Sequence, residues 1–94
     1  MKLGKAIEEV RKKKGLKQAE LAEKVGITQA YLSMIENDRK EPTISTLKAI
    51  GSALETPLPY IFYLALGEED ISDEKKEVYN SIKESLDLLM QSVI

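Results

Sequence analysis

A very short break between two helical segments restricts the folds open to this 94-residue chain. Apolar residues recur at helical spacing over residues 18–25 and again over residues 28–37. Only Gly26 and Ile27 lie between the two segments. Two helices joined by so few residues, one of them a glycine, form a helix-turn-helix unit. We expect the chain to take a positive φ at Gly26. Glycine adopts this conformation readily, whereas it is costly for a residue with a Cβ.

The residues around this break fit one packed corner. Ala22 is small at the point where the two helices would cross closely. Five apolar positions would form the wedge that sets the crossing angle: Leu21, Val25, Ile27, Leu32 and Ile35. A complete set in register is far more specific than any single apolar position, so the prediction of a helix-turn-helix does not depend on one residue.

The rest of the chain also has helical spacing, and no strand pattern competes with it. Further helices are predicted over residues 3–14, from Thr43 or Ser45 onward, over residues 57–66 and from Asp73 to about Ser92. We therefore predict an all-α chain. Residues 1–67 would form the helix-turn-helix domain, and residues 68–94 an acidic joint followed by an amphipathic helix.

The composition excludes most enzyme chemistry. The chain has no cysteine and no histidine, which removes the thiolate and imidazole metal ligands and the usual general base. Its carboxylates fall on predicted helix surfaces or in the joint, where we expect no partner to shift their pKa. We predict a protein that is not an enzyme and that needs no cofactor or metal. Because it shows no signal peptide and no apolar run long enough to span a bilayer, we expect a cytoplasmic location.

The motif around the break resembles the lambda-repressor/Cro-like helix-turn-helix family, also called the xenobiotic-response-element type. The resemblance depends on the run LKQAELAEKVGITQ at residues 16–29, followed by Tyr31-Leu32-Ser33, Ile35-Glu36-Asn37, Arg39 and Pro42. It extends over about residues 3–66. It implies a five-helix DNA-binding domain, usually dimeric, that acts as a transcriptional regulator.

The resemblance also implies which side chains contact DNA. Gln18 corresponds to a glutamine that holds a phosphate, and Gln29 corresponds to a position that reads base edges, where an amide can bond bidentately to adenine. Ala30, Ser33 and Met34 share the exposed face of the recognition helix with Gln29. The positions that match phosphate contacts are Thr28, Tyr31, Asn37, Lys40 and Thr43. For Tyr31, covering the core with its ring is an equally good interpretation.

Four other positions bear on how the recognition helix is held. Arg11 and Glu36 match the family's ion pair between helices, and we expect them to orient the recognition helix rather than touch DNA. Lys17 stands where a capping threonine is usual, which weakens the helix cap and adds a cation near phosphate. Asp38 stands where a glycine is usual, which leaves the conformation of the following loop open.

The predicted C-terminal helix lies outside the resemblance and has an apolar stripe of its own, formed by Val78, Ile82, Leu86, Leu89 and Val93. The fifth helix is apolar on nearly every side and must be covered. We expect the stripe to pair two subunits, with packing inside one subunit as the alternative. The residues predicted for the dimer interface are Tyr60, Phe62, Tyr63, Val78, Ile82, Leu86 and Leu89.

The net charge of the chain is −2, but the distribution of its charges supports a DNA partner. Residues 1–67 hold 11 Lys and Arg against 8 acidic residues, whereas residues 68–94 hold 3 against 8. The acidity thus belongs to the tail, which would repel DNA and turn the basic domain toward it.

Together these features predict a small sequence-specific DNA-binding transcriptional regulator. We expect a repressor that binds double-stranded DNA at a palindromic operator, as a homodimer and through the major groove. Two alternatives stay open. One is the antitoxin of a toxin–antitoxin pair, whose C-terminal helix contacts the toxin as a protein partner. The other is a protein-interaction module that has this fold and does not bind DNA.

Overall fold

Six α-helices and two short 3₁₀ turns make up the computed structural model, which describes residues 1–91 and contains no strand in that range. The helices are α1 (Leu3–Lys13), α2 (Gln18–Val25), α3 (Gln29–Glu36), α4 (Ile44–Ala53), α5 (Leu58–Ala65) and α6 (Lys76–Met90). The 3₁₀ turns Glu68–Asp70 and Asp73–Lys75 connect α5 to α6. The predicted all-α class is confirmed.

Local backbone chemistry determines where α3 and α4 begin. The hydroxyl oxygen of Thr28 accepts a hydrogen bond from the backbone N–H of Tyr31 at 3.0 Å. The hydroxyl oxygen of Thr43 accepts one from the N–H of Thr46 at 3.1 Å. Each bond satisfies one of the N–H groups that the first turn of a helix leaves without a partner. Thr43, not Ser45, is therefore the residue that starts α4.

The second helix begins without such a cap, as Lys17 predicts. The lysine side chain makes no capping bond, but the Glu20 carboxylate accepts the backbone N–H of Lys17 at 2.8 Å. At the other end of α2, Gly26 has a φ of 82°, so the predicted left-handed corner is confirmed.

Several predicted boundaries are wrong by one to three residues; among them, α5 ends at Ala65 and not at residue 66. α1 ends at Lys13, because the chain turns there toward Gly15, whose φ is 72°. α5 begins at Leu58, because Pro57 has an extended ψ of 132° and serves as its N-cap. α6 begins at Lys76 because residues 73–75 form a tighter 3₁₀ turn. The predicted end of α6 near Ser92, and Val93 of the stripe, lie outside the described residues.

The core lies where α1, the helix-turn-helix and the pair α4 and α5 meet. Its fully buried large side chains are Ile7, Val10, Leu21, Leu32, Ile35, Ile50, Leu54 and Ile61. α1 packs against α5 and α3, and α2 packs against α3 and α4. Because α3 is held along its inner side only, its opposite face stays open to solvent.

The N-terminal end of α1 lies directly against the C-terminal end of α3. A Cβ on Gly4 would collide with the carbonyl oxygen of Ile35 and lie 2.9 Å from that of Glu36. Asp38 takes a φ of 57°, and its Oδ1 accepts the backbone N–H of Gly4 at 2.9 Å. Aspartate tolerates the left-handed region better than most residues with a Cβ. The loop conformation that the sequence left open is therefore resolved, with Asp38 acting as a cap for α1.

The C-terminal helix α6 covers one side of α5 in the same chain. The hydroxyl of Tyr79 donates to the carbonyl oxygen of Leu66 at 3.3 Å. The ring of Tyr79 lies 6.3 Å from that of Tyr63, and Met90 is buried. Val78 and Ile82, in contrast, are 58% and 50% exposed. α6 thus packs on α5 through the face next to the predicted stripe.

The residues predicted for a dimer interface therefore differ in how far they are buried within the chain. Tyr60 is 8% exposed, and Phe62 and Tyr63 are half-buried within the chain. Leu86 is half-buried, and Leu89 is 65% exposed. Tyr60 and Tyr63 therefore pack within one subunit, and a part for them in a dimer interface stays a prediction. The pairing of two subunits through Val78 and Ile82 stays a prediction.

Candidate nucleic-acid interface

The corner between α2 and α3 places the candidate site. Leu21 and Ala22 of α2 and Leu32 of α3 are buried against each other and the core. Val25 and Ile27 are half-buried at the same corner. Since the inward positions are filled by apolar side chains, the remaining positions of α3 must face outward. This packing holds α3 rigidly at the surface, with its outer face exposed.

An ion pair holds α3 against α1. The Nε of Arg11 donates to Oε2 of Glu36 at 2.7 Å, and its Nη2 donates to Oε1 at 3.0 Å. The side chains are 9% and 1% exposed. A third donor, Nη1 of Arg11, reaches the carbonyl oxygen of Leu16 at 2.8 Å. The bond to Glu36 raises the pKa of Arg11, although burial opposes the rise. Two-pronged pairing of this kind has directional geometry as well as charge.

A chain of hydrogen bonds extends from this ion pair to the first residue of α3. Nε2 of Gln18 donates to Oε1 of Glu36 at 3.0 Å, and Nε2 of Gln29 approaches Oε1 of Gln18 at 3.4 Å. Glu36 therefore accepts from both Arg11 and Gln18. The two glutamines lie together at the edge of the exposed surface, with Gln18 tied more firmly than Gln29.

The outward face of α3 contains the residues predicted to read bases. Gln29 and Ala30 are exposed, Met34 is 37% exposed, and Ser33 is half-buried. One amide, one hydroxyl and two apolar side chains thus share a single helical surface. Such a surface supplies the hydrogen-bonding and methyl-contacting groups that distinguish base pairs in a major groove.

The residues predicted to contact phosphate surround this face. Thr28, Asn37, Lys40 and Thr43 are all exposed. Asn37 also donates from Nδ2 to the carbonyl oxygen of Ser33 at 2.8 Å, so its amide covers the last turn of α3. Tyr31 is half-buried and packs against the core. Its ring therefore has the covering role, which leaves a phosphate contact by the hydroxyl as a prediction.

Sequence reasoning did not bring Lys2 and Arg39 together with Lys40 in one cleft beside α3. Lys2, Arg39 and Lys40 line a cleft of about 560 Å³, and the acidic Asp38 and Glu41 line it as well. Arg39 was noticed only as part of the family motif, and Lys2 is 37 positions away in sequence from it. Lys40 was predicted to contact phosphate. For Lys2 the excess of Lys and Arg in residues 1–67 was the only signal, and it did not identify a location.

The acidic side chains of the described residues do not form a cluster of the kind that binds a metal ion. Within residues 1–91 no three acidic side chains are grouped so that they could hold an ion. The expectation that no carboxylate has a shifted pKa is wrong for Asp70. The backbone N–H of Gly67, with the amino group of Met1, lowers the pKa of Asp70. Both contacts fasten the joint after α5, so they are structural.

The fold and the exposed face of α3 together define a helix-turn-helix DNA-binding domain. A family model described as "Helix-turn-helix" matches residues 7–61. The chain belongs to this family, the lambda-repressor/Cro-like helix-turn-helix proteins. The fold and the relatives are those of DNA-binding transcription regulators and not of enzymes. Within residues 1–91 no helix has the length and apolar character needed to cross a membrane.

Individual relatives agree with this assignment. The immunity repressor protein of Bacillus phage phi105 is 40% identical over 84 residues, which cover 89% of this chain and 56% of the repressor. The HTH-type transcriptional regulator SinR of Bacillus licheniformis is 36% identical over 69 residues, or 72% of this chain and 59% of SinR. The chain therefore spans little more than half the length of these curated relatives.

Solved structures show the same architecture. The solution structure of the DNA-binding domain of the P22 c2 repressor matches with a TM-score of 0.63 and 31% identity, covering 66% of this chain and 82% of that one. The crystal structure of the clp gene regulator ClgR from C. glutamicum matches with a TM-score of 0.67 and 30% identity, covering 76% of this chain and 90% of that one.

Proposed function

We propose that this protein is a sequence-specific repressor that binds a palindromic operator as a homodimer. The observation that best supports the proposal is the open face of α3, which buried contacts hold rigidly at its inner side. An α-helix fits the major groove of B-form DNA, where the base edges differ for all four base pairs. The relatives that carry repressor names support the same function.

Specificity would come from Gln29 and its neighbours. Gln18 is fixed by Glu36 at 3.0 Å and offers its own oxygen to Gln29 at 3.4 Å. This bond orients one hydrogen of the Gln29 amide and leaves the other N–H and the carbonyl oxygen for the N7 and N6 groups of an adenine. Ala30 and Met34 would contact thymine methyl groups, and Ser33 would bond to a base of either type.

Affinity would come from contacts to the phosphates on both sides of α3. Lys40 and Thr43 are exposed on the C-terminal side of α3, and Gln18, Thr28 and Asn37 lie around the helix itself. The exposed Lys17 adds a cation close to Gln18. Because charged contacts of this kind release counterions, we expect the affinity to fall steeply as the salt concentration rises.

Dimerisation would use the outer face of α6. Val78 and Ile82 are exposed apolar side chains one turn apart, and Leu89, which is 65% exposed, lies on the same side of the helix two turns after Ile82. A pair of α6 helices related by a twofold axis would bury these residues against each other. Two α3 helices could then enter successive major grooves about 34 Å apart. α6 does not contribute any residue to the DNA-contacting set.

Selection of bound sequences from random double-stranded DNA is the experiment that tests the proposed function. We expect an enriched inverted repeat, with half-sites one helical turn apart. Titration of the selected site at several salt concentrations then separates the phosphate contacts from base reading. Failure to enrich any sequence, with binding that depends only on charge, would contradict the proposal and favour the protein-interaction module.

Replacing Gln29 by alanine is expected to weaken discrimination at one base pair of the operator by about 1–3 kcal/mol. The variant removes an amide that sits on the exposed face and leaves the buried core unchanged. Gel-shift titrations against the operator and its single-base variants give the measurement. Gln91→Ala is the matched control, since Gln91 lies beyond the end of α6 and outside the interface. Unchanged operator preference in Gln29→Ala would show that another face reads the bases.

Replacing Ile82 by aspartate is expected to shift the protein from dimer to monomer. The change puts a charge into an apolar pairing surface but adds little strain within the chain, because Ile82 is 50% exposed. Sedimentation velocity gives the measurement, and truncation after Gly67 should act in the same direction. Asn80→Asp adds the same charge on another exposed side of α6 and should leave the dimer intact. A dimer that survives both Ile82→Asp and the truncation would place the interface elsewhere.

The same outer face of α6 would contact the toxin if the chain were an antitoxin. Co-purification with a co-encoded protein that Ile82→Asp releases, from a chain that is monomeric alone, would favour that alternative. A homodimer that does not bind such a partner would favour the repressor that acts without a toxin.

A further inference from the structure

Asp38 stands at a position where the backbone geometry favours glycine. The chain leaves α3 through a Schellman turn. In this turn the backbone N–H of Arg39 donates to the carbonyl oxygen of Met34 at 2.9 Å, and the N–H of Asp38 donates to that of Ile35 at 3.0 Å. The turn requires a left-handed residue, which is Asp38 with its φ of 57°. Glycine adopts that conformation without the cost that a Cβ brings, but it cannot make the contact that the aspartate side chain makes.

The side chain of Asp38 joins the end of α3 to the beginning of α1. Its Oδ1 accepts the backbone N–H of Gly4 at 2.9 Å, across 34 positions of the sequence. Lys2, the N-cap residue of α1, makes no side-chain capping bond, so the carboxylate supplies the cap that α1 lacks. Its negative charge also interacts favourably with the positive end of the helix dipole. The contact therefore offsets the backbone cost and fastens α3 at the same time.

This bond and the ion pair between Arg11 and Glu36 attach α3 to α1 at two separate points. Gly4 and Arg11 lie about two turns apart on α1, which is about 10 Å along the helix axis. The apolar packing on the inner side of α3 is strong but not directional. Two polar bonds at separated points do have a direction, because each requires its own donor and acceptor geometry. Together they fix how the C-terminal end of α3 is oriented on α1.

The residues directly after Asp38 depend on this orientation. Lys40, which is among the residues proposed to contact phosphate, is exposed, and its backbone N–H donates to the carbonyl oxygen of Met34 at 3.3 Å. The N–H of Arg39 donates to the same oxygen. Both residues are thus bonded to the last turn of α3 through their backbone, so a change in the turn at Asp38 moves them as well.

We propose that Asp38 is a positioning residue for DNA binding, whose bond to Gly4 holds the loop after α3 so that Lys40 meets a phosphate. The inference rests on the proposed function. Its effect on affinity has the opposite sign to the effect of charge. An anion beside the interface repels phosphate, so removing its charge alone strengthens binding. Removing the bond to Gly4 as well should weaken binding.

Two variants of equal charge separate these effects. Asp38→Gly and Asp38→Asn remove the same charge, and both new residues tolerate a positive φ. Only asparagine retains an oxygen that can accept from Gly4. We expect Asp38→Asn to bind the selected operator at least as tightly as wild type in gel-shift titrations. Asp38→Gly should bind about three- to tenfold more weakly than Asp38→Asn, the effect of one hydrogen bond. Equal binding by the two variants would overturn the inference.

A second substitution shows whether the effect is one of position. Lys40→Ala should reduce operator affinity less in Asp38→Gly than in wild type, because Lys40 is then already displaced from its phosphate. Amide hydrogen exchange at Gly4 should be faster in Asp38→Gly than in Asp38→Asn. The titrations are carried out well below the denaturation midpoint of each variant, so that all of them are folded. Additive effects of the two substitutions, or equal exchange at Gly4, would contradict a positioning role.

The wild-type protein distinguishes a failure of this inference from a failure of the proposed function. If wild type selects no DNA sequence, the proposed function is wrong and the role of Asp38 is wrong with it. If wild type binds a selected operator and Asp38→Gly and Asp38→Asn bind it equally, only the role of Asp38 is wrong.

Discussion

Replacing Glu36 by alanine is expected to lower the free energy of unfolding by about 3–5 kcal/mol. Glu36 is 4% exposed and its carboxylate is the acceptor for two donors of Arg11 and one of Gln18. Removing it leaves a guanidinium buried without its counter-charge, and that loss exceeds what the pair itself contributes to stability. Urea denaturation followed by circular dichroism gives the measurement.

The same substitution should weaken operator binding beyond its effect on folding. Without Glu36 the amide of Gln18 loses its anchor, and Gln29 loses an oriented partner. Lys12→Ala is the control, because Lys12 is 65% exposed and its ion pair with Glu8 at 3.8 Å is of the surface kind that contributes little. A double variant, Arg11→Met with Glu36→Leu, should recover most of the stability but not the operator affinity. Full operator affinity in the double variant would show that the ion pair does not orient the interface.

Replacing Gly4 by alanine is expected to cost about 1–3 kcal/mol of stability, the usual range for overpacking. In an open helix the same change is favourable, since alanine is a better helix former than glycine. At this position the new Cβ would collide with the carbonyl oxygen of Ile35, a backbone atom that cannot rotate away. α1 would have to move away from α3, and the bond from Gly4 to Asp38 would break. Chemical denaturation again gives the measurement.

Gly15→Ala separates this collision from backbone strain. A Cβ on Gly15 would meet nothing within 4 Å, but the residue has a φ of 72°. Its substitution should therefore cost about 1–2 kcal/mol through conformation alone and leave the contact between α1 and α3 unchanged. Gly4→Ala should disrupt that contact, and Gly15→Ala should not. Amide hydrogen exchange at residue 4 and at the end of α3 measures the difference. Exchange rates there that stay at wild-type values in Gly4→Ala would contradict the proposed close approach.

The features that sequence reasoning predicted well are those that depend on neighbours in the chain. Gly26 needs a left-handed conformation because the turn after α2 is short, and Thr28 and Thr43 cap the helices that follow them directly. Each requires only a few consecutive residues to be recognised. The family resemblance added the pairing of Arg11 with Glu36, which are 25 positions apart and have no local signal that connects them.

The features that sequence reasoning missed depend on contacts between segments that are far apart in the chain. Gly4 and Asp38 are 34 positions apart, and neither a glycine near the start of a helix nor an aspartate in a loop indicates the other. On α6 the apolar spacing correctly predicted a helix but did not show which face would be buried. Tyr79 and Met90, which lie beside the stripe, pack in the chain, because α5 offers a tyrosine surface there.

The amino-acid sequence alone was sufficient to establish an all-α chain, its helix-turn-helix and the family to which it belongs, because helix spacing, caps and a short glycine turn are local properties. The tertiary structure decided how α3 is held, which side of α6 is covered and that Asp38 joins the end of α3 to the beginning of α1. Those properties depend on which surfaces meet when the helices pack. The amino-acid sequence shows which side chains are available for that packing, but it does not show which partners they contact.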